Sequence, residues 1–134
     1  MAKVDELCKE LVDSVDDCLA GGVVDLNTGM LIGVYHNVPH FTQSYLDAVA
    51  AAAVEMVRGK NVRRVEELLS KQRGVEIKDS FQEIFVSSPM VFHFMTIVPE
   101  KGAIVVMVTK NTISQGMGWA ALRNKLDDIA AALL

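Results

Sequence analysis

Cysteine, proline and long apolar runs are scarce in this sequence. Its 134 residues include two cysteines, three prolines and one tryptophan. It contains no stretch of about 20 apolar residues that could cross a bilayer as a helix. At the start, residues Met1–Glu6 are partly acidic, where a secretory signal peptide has a basic and then an apolar run. We therefore expect a cytoplasmic protein with no membrane insertion.

The two cysteines, Cys8 and Cys18, occupy apolar positions of one predicted helix. Ten residues at a rise of about 1.5 Å would place them about 15 Å apart, whereas a disulfide needs Cα atoms within roughly 7 Å. A disulfide within that helix is therefore excluded, and we interpret both as small buried hydrophobic residues. This usage is consistent with a reducing compartment.

Strong charge of either sign is also missing. The formal net charge is −4 and the isoelectric point is near 5.3. A weakly acidic chain argues against a protein that follows the phosphates of a nucleic acid, and against a basic patch on anionic lipid. Arg58, Lys60, Arg63 and Arg64 form the one basic cluster. We interpret it as a solvated face, with a contact to an acidic partner as the alternative.

Patterns typical of catalysis or metal binding are weak. His36 and His40 are four residues apart, but Pro39 breaks helical geometry between them and no third ligand is near, so we predict no metal site. His93 lies in an apolar segment and is interpreted as a hydrogen-bonded core histidine rather than a catalytic base. Neither a G-x-S-x-G pattern nor a P-loop is present. The sequence predicts a protein that is not an enzyme and has no cofactor.

Hydrophobic residues are abundant. They make up 51% of the chain, and the mean hydropathy is +0.28. A domain of this size cannot bury all of its apolar surface, so the excess indicates a subunit interface or a ligand site.

Periodicity and turn residues predict the element order α-β-β-α-α-β-β-β-α. Gly21-Gly22 is expected to end the first helix and Gly74 to end the third. Thr42 and Asn61 are the expected N-caps of the second and third helices. The predicted helices cover residues 3–20, 41–58, 61–73 and from Ser114 or Met117 to 134. The predicted strands cover residues 22–25, 30–35, 81–87, 90–98 and 103–109, with 75–80 as a mixed lead-in.

These elements predict one domain, residues 1–134, with an α/β (α+β) fold. The strands at 90–98 and 103–109 are almost entirely apolar, so they need cover on both faces and should be central. Polar residues within strand 81–87 place it at an edge. A hairpin and a three-stranded meander together make a five-stranded antiparallel sheet with helices on both faces.

Three segments resemble the roadblock/dynein light chain domain family. Residues 22–33, GVVDLNTGMLIG, resemble its opening hairpin, in which an aspartate precedes a glycine turn. The alanine-rich helix Val49–Val57 is a second point of likeness. The third runs from Lys110 to Leu134, where GMGW at 116–119 resembles the start of the family's C-terminal helix. The helix at 61–73 departs from the family pattern and would either cover or extend the surface that faces a partner.

The resemblance implies a profilin-like α/β/α sandwich with strand order 2-1-5-4-3, which dimerises through its third strands and second helices. An edge strand has unpaired backbone groups that a symmetric copy can satisfy. The alternative for the alanines of the second helix, Ala51 among them, is that they pack on their own sheet. The expected dimer or partner contacts are Tyr45, Ala48, Ala52, Glu55, Arg58, Phe81, Glu83 and Phe85.

Three classes of function follow. Members of the family serve as dynein subunits, as scaffolds for small GTPases and as regulators of GTP hydrolysis in bacterial polarity systems. The first class is therefore a homodimeric scaffold or regulator of a small Ras-like GTPase, which would supply its own catalytic groups. The second is a sensor or signalling adaptor that binds a ligand between helix and sheet, which predicts a buried pocket. The third, an enzyme, needs converging titratable groups, and the sequence shows none.

Overall fold

The computed structural model of the protein describes residues 3–134. Within this range the elements follow the predicted order. The helices are α1 (Lys3–Ser14), α2 (Gln43–Arg58), α3 (Lys60–Arg73) and α4 (Gln115–Ala132). The strands are β1 (Cys18–Asp25), β2 (Leu31–His36), β3 (Glu83–Ser87), β4 (Val91–Val98) and β5 (Ala103–Lys110). A single 3-10 turn, Pro99–Lys101, joins β4 to β5.

The strands form one antiparallel sheet in the order β2-β1-β5-β4-β3, which confirms the predicted topology. β1 and β5 pair along their whole length, from Cys18 opposite Thr109 to Asp25 opposite Ala103. Seven successive residues of β5 are buried because helices cover both of its faces. The two apolar strands are therefore central, and β3 is an edge strand, as the sequence predicts.

Alternate residues of the central strands face two separate cores. Val23, Val105 and Met107 pack against α1 and α4 on one face of the sheet. Val24 and Ile104 point to the other face, which α2 covers. The result is an α/β/α sandwich. None of the helices within residues 3–134 is both long enough and apolar enough to cross a membrane.

The first helix is shorter than predicted. α1 ends at Ser14 instead of continuing to residue 20, and Cys18 already belongs to β1. The chain turns at Asp17, whose φ of 65° is left-handed and whose carbonyl accepts a hydrogen bond from Lys110 N–H at 2.8 Å. Apolar residues here fit a helical stripe or a strand equally, and pairing with β5 decides for the strand. Gly21-Gly22 consequently lies inside β1 and does not end a helix.

Two of the predicted helix ends in the middle of the chain are confirmed and one is wrong. The Thr42 hydroxyl caps α2, and Gly74 ends α3 with a left-handed φ of 68°. The N-cap of α3 is Gly59, not Asn61, which lies within the first turn. Gly59 alone separates α2 from α3, so the two helices meet at a sharp bend.

Residues 75–80 do not form the predicted mixed lead-in strand, and the strand predicted over 81–87 is two residues shorter than expected. β3 begins only at Glu83, and Phe81 therefore lies before the strand. The segment is bonded to α3 instead. The backbone N–H and the hydroxyl of Ser80 both donate to the Glu66 carboxylate, each at 2.7 Å. Side-chain bonds to α3 thus take the place of ladder bonds to β4 up to residue 81, and the ladder to β4 begins at the Gln82 carbonyl.

Glu66 is the one buried residue of α3, so its removal should loosen this helix. We expect Glu66→Ala to cost about 1–3 kcal/mol locally, because the two Ser80 donors lose a buried acceptor. Hydrogen exchange should quicken for amides between residues 62 and 80 while the sheet stays protected. Exposed Glu67, which pairs with Arg64 at 3.2 Å, provides the control. Glu67→Ala should change stability by less than about 0.5 kcal/mol, and equal exchange in both variants would contradict the role of Glu66.

Candidate functional site

The alanine-rich part of α2 divides between two surfaces. One set of side chains packs on the sheet and is buried: Ala50, Ala53 and Val57. The other set follows helical spacing on the opposite side and is exposed: Ala48, Ala51, Ala52 and Glu55. We call this second set the α2 face. Packing on the chain's own sheet therefore explains Ala50 and Ala53, but it does not explain the exposed alanines of the α2 face.

Tyr45 lies one turn before the α2 face. Its side chain is 39% exposed and its ring stacks on Phe41, with ring centroids 4.7 Å apart. This stacking holds the phenol in place at low entropic cost. Tyr45 is therefore available to another chain while remaining ordered.

Arg58, at the end of α2, is held by contacts within its own chain. Its side chain is only 12% exposed, and Nε lies 3.2 Å from the Asp79 carboxylate. Its guanidinium also donates to the Val57 carbonyl at 3.2 Å. Arg63 of α3 reaches the same Asp79 oxygen at 3.0 Å. Arg58 therefore ties α2 to the segment before β3.

The outer edge of β3 carries backbone groups that bond to no other strand in the described chain. The Ser88 N–H donates to the Val91 carbonyl, and the Ile97 N–H donates to the Gln82 carbonyl. Because hydrogen-bonded and non-hydrogen-bonded pairs alternate between antiparallel strands, the intervening odd-numbered residues point their N–H and C=O away from β4. These residues are Glu83, Phe85 and Ser87.

The side chains of Glu83 and Phe85 face α4, on the opposite side of the sheet from the α2 face. Glu83 forms a two-pronged pair with Arg123, at 2.8 and 3.1 Å, and these bonds lower the pKa of Glu83. Phe85 packs edge-on against Phe92 and Phe94, with centroids 5.0 and 5.1 Å away. The structure therefore separates these two predicted contact side chains from those of α2.

Two residues that the prediction overlooked lie on the α2 side of this edge. Ile84 and Val86 are half-buried against the core beneath α2. The signal for them was the two-residue period of a strand: if Glu83 and Phe85 face one side, Ile84 and Val86 face the other. The candidate interaction surface therefore combines the α2 face, the outer backbone of β3, and Ile84 and Val86.

His93 lies next to this surface. It stands opposite Val86 on β3 and Val108 on β5, so it faces the α2 side. Its Nδ1 is buried without a hydrogen-bond partner in the described chain, so the expectation of a hydrogen-bonded core histidine is wrong. Burial lowers the pKa of His93, and the ring stays neutral near pH 7.

His36 is the last residue of β2, and His40 lies between β2 and α2. Both rings pack against Phe41, with ring centroids 5.7 and 5.4 Å away. His36 Nδ1 accepts a hydrogen bond from Val38 N–H at 3.3 Å. Between residues 3 and 134, no group of three or more histidine, cysteine, aspartate or glutamate side chains is arranged to hold a metal ion.

Both cysteine side chains are buried and unbridged. Because Cys18 lies on β1, the separation expected along one helix does not describe the pair. Burial raises the pKa of the Cys8 thiol from 9.0 to about 12, with a further contribution from Asp5. Burial likewise raises the pKa of Cys18 to about 11. Both thiols are neutral near pH 7 and act as hydrophobic residues, as the sequence predicts.

These thiols should make stability fall with rising pH in alkaline solution. Above the unfolded value of 9.0 the unfolded chain releases both protons, while the folded chain keeps them up to about 11. The unfolded chain then binds fewer protons, so the free energy of unfolding should decline by up to about 1.4 kcal/mol per pH unit for each thiol. Urea denaturation between pH 8 and 10.5 measures this slope. A double variant, Cys8→Ala with Cys18→Ala, should flatten it, and an unchanged slope would contradict the assignment.

A small apolar cavity lies between α2 and the β1–β2 hairpin. Its volume is about 30 Å³, and its lining includes Gly22, Leu31, Tyr45 and Val49. That is about the share of one water molecule, whereas small-molecule sites occupy roughly 300–1,000 Å³. The cavity at this position is therefore smaller than a typical small-molecule site.

No protein-family model matches the sequence, and no curated protein is a detectable sequence relative. The fold, however, matches solved structures over nearly the full length of each chain. The fold is that of the roadblock/LC7 domains, which confirms the structural likeness that the sequence suggests.

Three solved structures illustrate the match. A Roadblock/LC7 domain from Streptomyces avermitilis superposes with a TM-score of 0.70 at 13% identity, covering 95% of this chain and 94% of that one. Myxococcus xanthus MglB gives 0.67 at 20% identity, with 98% and 97% covered. The gliding protein MglB from Thermus thermophilus gives 0.71 at 15% identity, with 98% and 88% covered.

Proposed function

We propose that the protein is a non-enzymatic homodimer that binds and regulates a small Ras-like GTPase. The observation that carries the proposal is the unpaired outer edge of β3 beside the exposed α2 face. The structural neighbours support it in two ways. Two of them are MglB proteins, one of which is named a gliding protein, and these support a regulatory role. Another solved MglB has a tetrameric arrangement, which supports self-association.

Pairing of two β3 edges would complete the bonding of both sheets. The outward N–H and C=O groups of Glu83, Phe85 and Ser87 would meet the same groups of a second copy across a two-fold axis. Such a ten-stranded sheet would bring the two α2 faces to the same side. Ile84 and Val86 would then lie under the junction, where a partner copy can bury them. The high apolar fraction of the chain is consistent with this interface.

The GTPase would bind the paired α2 faces. Small residues such as Ala48 and Ala52 allow a partner backbone to come close, and Tyr45 offers an ordered aromatic anchor at one end. Glu55 adds a negative charge in the centre. The mechanism is positional: the dimer holds the switch regions, and the GTPase supplies its own phosphate-binding and catalytic groups.

Two measurements test the two parts of the proposal. Light scattering coupled to size exclusion should report twice the chain mass of 14.6 kDa. GTP turnover by a small Ras-like GTPase from the same organism should change when the protein is added, and Tyr45→Ala, which removes the aromatic anchor, should reduce that change. A monomeric mass would remove the dimer, and unchanged turnover with no detectable complex would remove the GTPase.

A further inference from the structure

Helix α3 is packed in the reverse of the usual orientation. Its one buried residue is the charged Glu66, while three large apolar side chains on it are exposed. Val65, Leu68 and Leu69 are 44%, 47% and 39% exposed. The polar bonds of Glu66 to Ser80 fix this orientation, because rotating the apolar residues inward would leave those groups unpaired.

The exposed surface of α3 has an apolar side and a basic side. At about 100° per residue, Val65, Leu68 and Leu69 fall within an arc of about 100°. We call them the apolar stripe. Next to it, Lys60, Arg64 and Lys71 fall within about 40° of one another, and we call them the basic stripe. All six side chains belong to residues that the structure shows as exposed.

The charge of the basic stripe is largely uncompensated. Arg64 pairs with exposed Glu67, while Lys60 and Lys71 form no ion pair with any residue between 3 and 134. The helix has five basic and two acidic residues, in a chain whose net charge is −4. α3 is therefore a local positive region on an acidic protein.

These features select among the occupants that an apolar helix face can have. A second copy docking α3 against α3 would bring two basic stripes together, which is repulsive. A lipid surface fits poorly because the apolar stripe contains no aromatic residue and the whole chain would be repelled by anionic headgroups. A partner surface that has a row of apolar residues flanked on one side by acidic residues would complement both the apolar stripe and the basic stripe.

We propose that α3 is a docking surface for an acidic amphipathic helix of a partner protein. The leucines of the partner would cover the apolar stripe, and its carboxylates would pair with the basic stripe. The surface uses no residue of the α2 face or of the β3 edge. Peptide binding to α3 can therefore be measured separately from dimerisation and GTPase binding.

A pair of synthetic peptides tests the proposal on the full chain. One is an 18-residue helix with leucines at i, i+3, i+4 and i+7 spacing and glutamates along one flank; the other has lysines in place of the glutamates. We expect the glutamate peptide to bind and to shift the NMR signals of amides in residues 60–75. Binding should weaken about tenfold in an Arg64→Glu/Lys71→Glu double variant, which should gain affinity for the lysine peptide.

Controls separate the stripes from general charge effects. Lys101→Glu changes an exposed lysine in the 3-10 turn and should leave binding unchanged. Leu68→Ser should weaken the glutamate peptide without altering its salt dependence, and circular dichroism verifies that each variant is folded. Absence of glutamate-peptide binding, or binding that ignores the charge reversal, would overturn the proposal. Binding to phosphatidylserine vesicles in preference to the glutamate peptide would overturn it in favour of a membrane.

Discussion

Gly118→Ala should destabilise the protein by about 1–3 kcal/mol, although alanine is normally the better helix former by about 1 kcal/mol. A Cβ at Gly118 would meet the Phe94 ring, at 2.6 Å from Cε2 and 2.8 Å from Cε1, and still closer to Cζ. Phe94 is completely buried, and Trp119 and Phe85 crowd its ring edge-on at 5.3 and 5.1 Å. The ring has no space to retreat, so packing strain exceeds the gain in helix propensity.

Gly116 supplies the matched control on the same helix, two residues earlier. Nothing lies within 4 Å of a Cβ placed there, so Gly116→Ala should be neutral or stabilise by up to about 1 kcal/mol. Urea denaturation of both variants measures the difference. In a Phe94→Leu background, Gly118→Ala should lower the free energy of unfolding by less than it does in the wild-type chain, because the smaller side chain leaves room for the added Cβ. If Gly118→Ala were as stable as Gly116→Ala, the close packing of Gly118 on the Phe94 ring would be contradicted.

The sheet could be predicted from the sequence because its central strands are unambiguous. Strands that are almost wholly apolar, such as 103–109, need two covering layers, and this requirement fixes the sandwich. The end of α1 could not be predicted in the same way. The residues at 18–19 suit either a helix or a strand, and only pairing with β5, a chain segment about 90 residues away, selects the strand.

The candidate surface was only partly predictable for the same reason. Composition indicates that β3 is an edge, but which of its side chains join the α2 side depends on register. That register places Ile84 and Val86 there instead of Glu83 and Phe85. In α3, hydrophobic periodicity alone predicts that the apolar stripe packs against the domain. The hydrogen bond from Ser80 to Glu66, residues 14 apart in the chain, buries the opposite side of the helix instead and leaves the stripe exposed.

Ser87→Pro should convert the proposed dimer to a monomer. By the alternation of the β3–β4 ladder, the Ser87 N–H points away from β4, so proline removes no bond within the chain. It does remove a donor from the outer edge and places a ring where a second strand would lie. Two-fold symmetry repeats the loss in both copies. Two bonds at about 0.5–1.5 kcal/mol each should weaken dimerisation about 5- to 160-fold, and the steric clash adds to this effect.

Ser87→Ala keeps the N–H and is the matched control, since Ser87 is exposed and its hydroxyl has no bonding partner in residues 3–134. Sedimentation velocity over a range of concentrations measures the dissociation constants, and thermal denaturation verifies that β3 still folds. Ala52→Glu tests the other half of the surface, because it puts two like charges opposite each other only if the α2 faces meet. If Ser87→Pro stayed dimeric while Ala52→Glu dissociated, the copies would associate through α2 without joining their sheets. If both stayed dimeric, another surface would hold the pair.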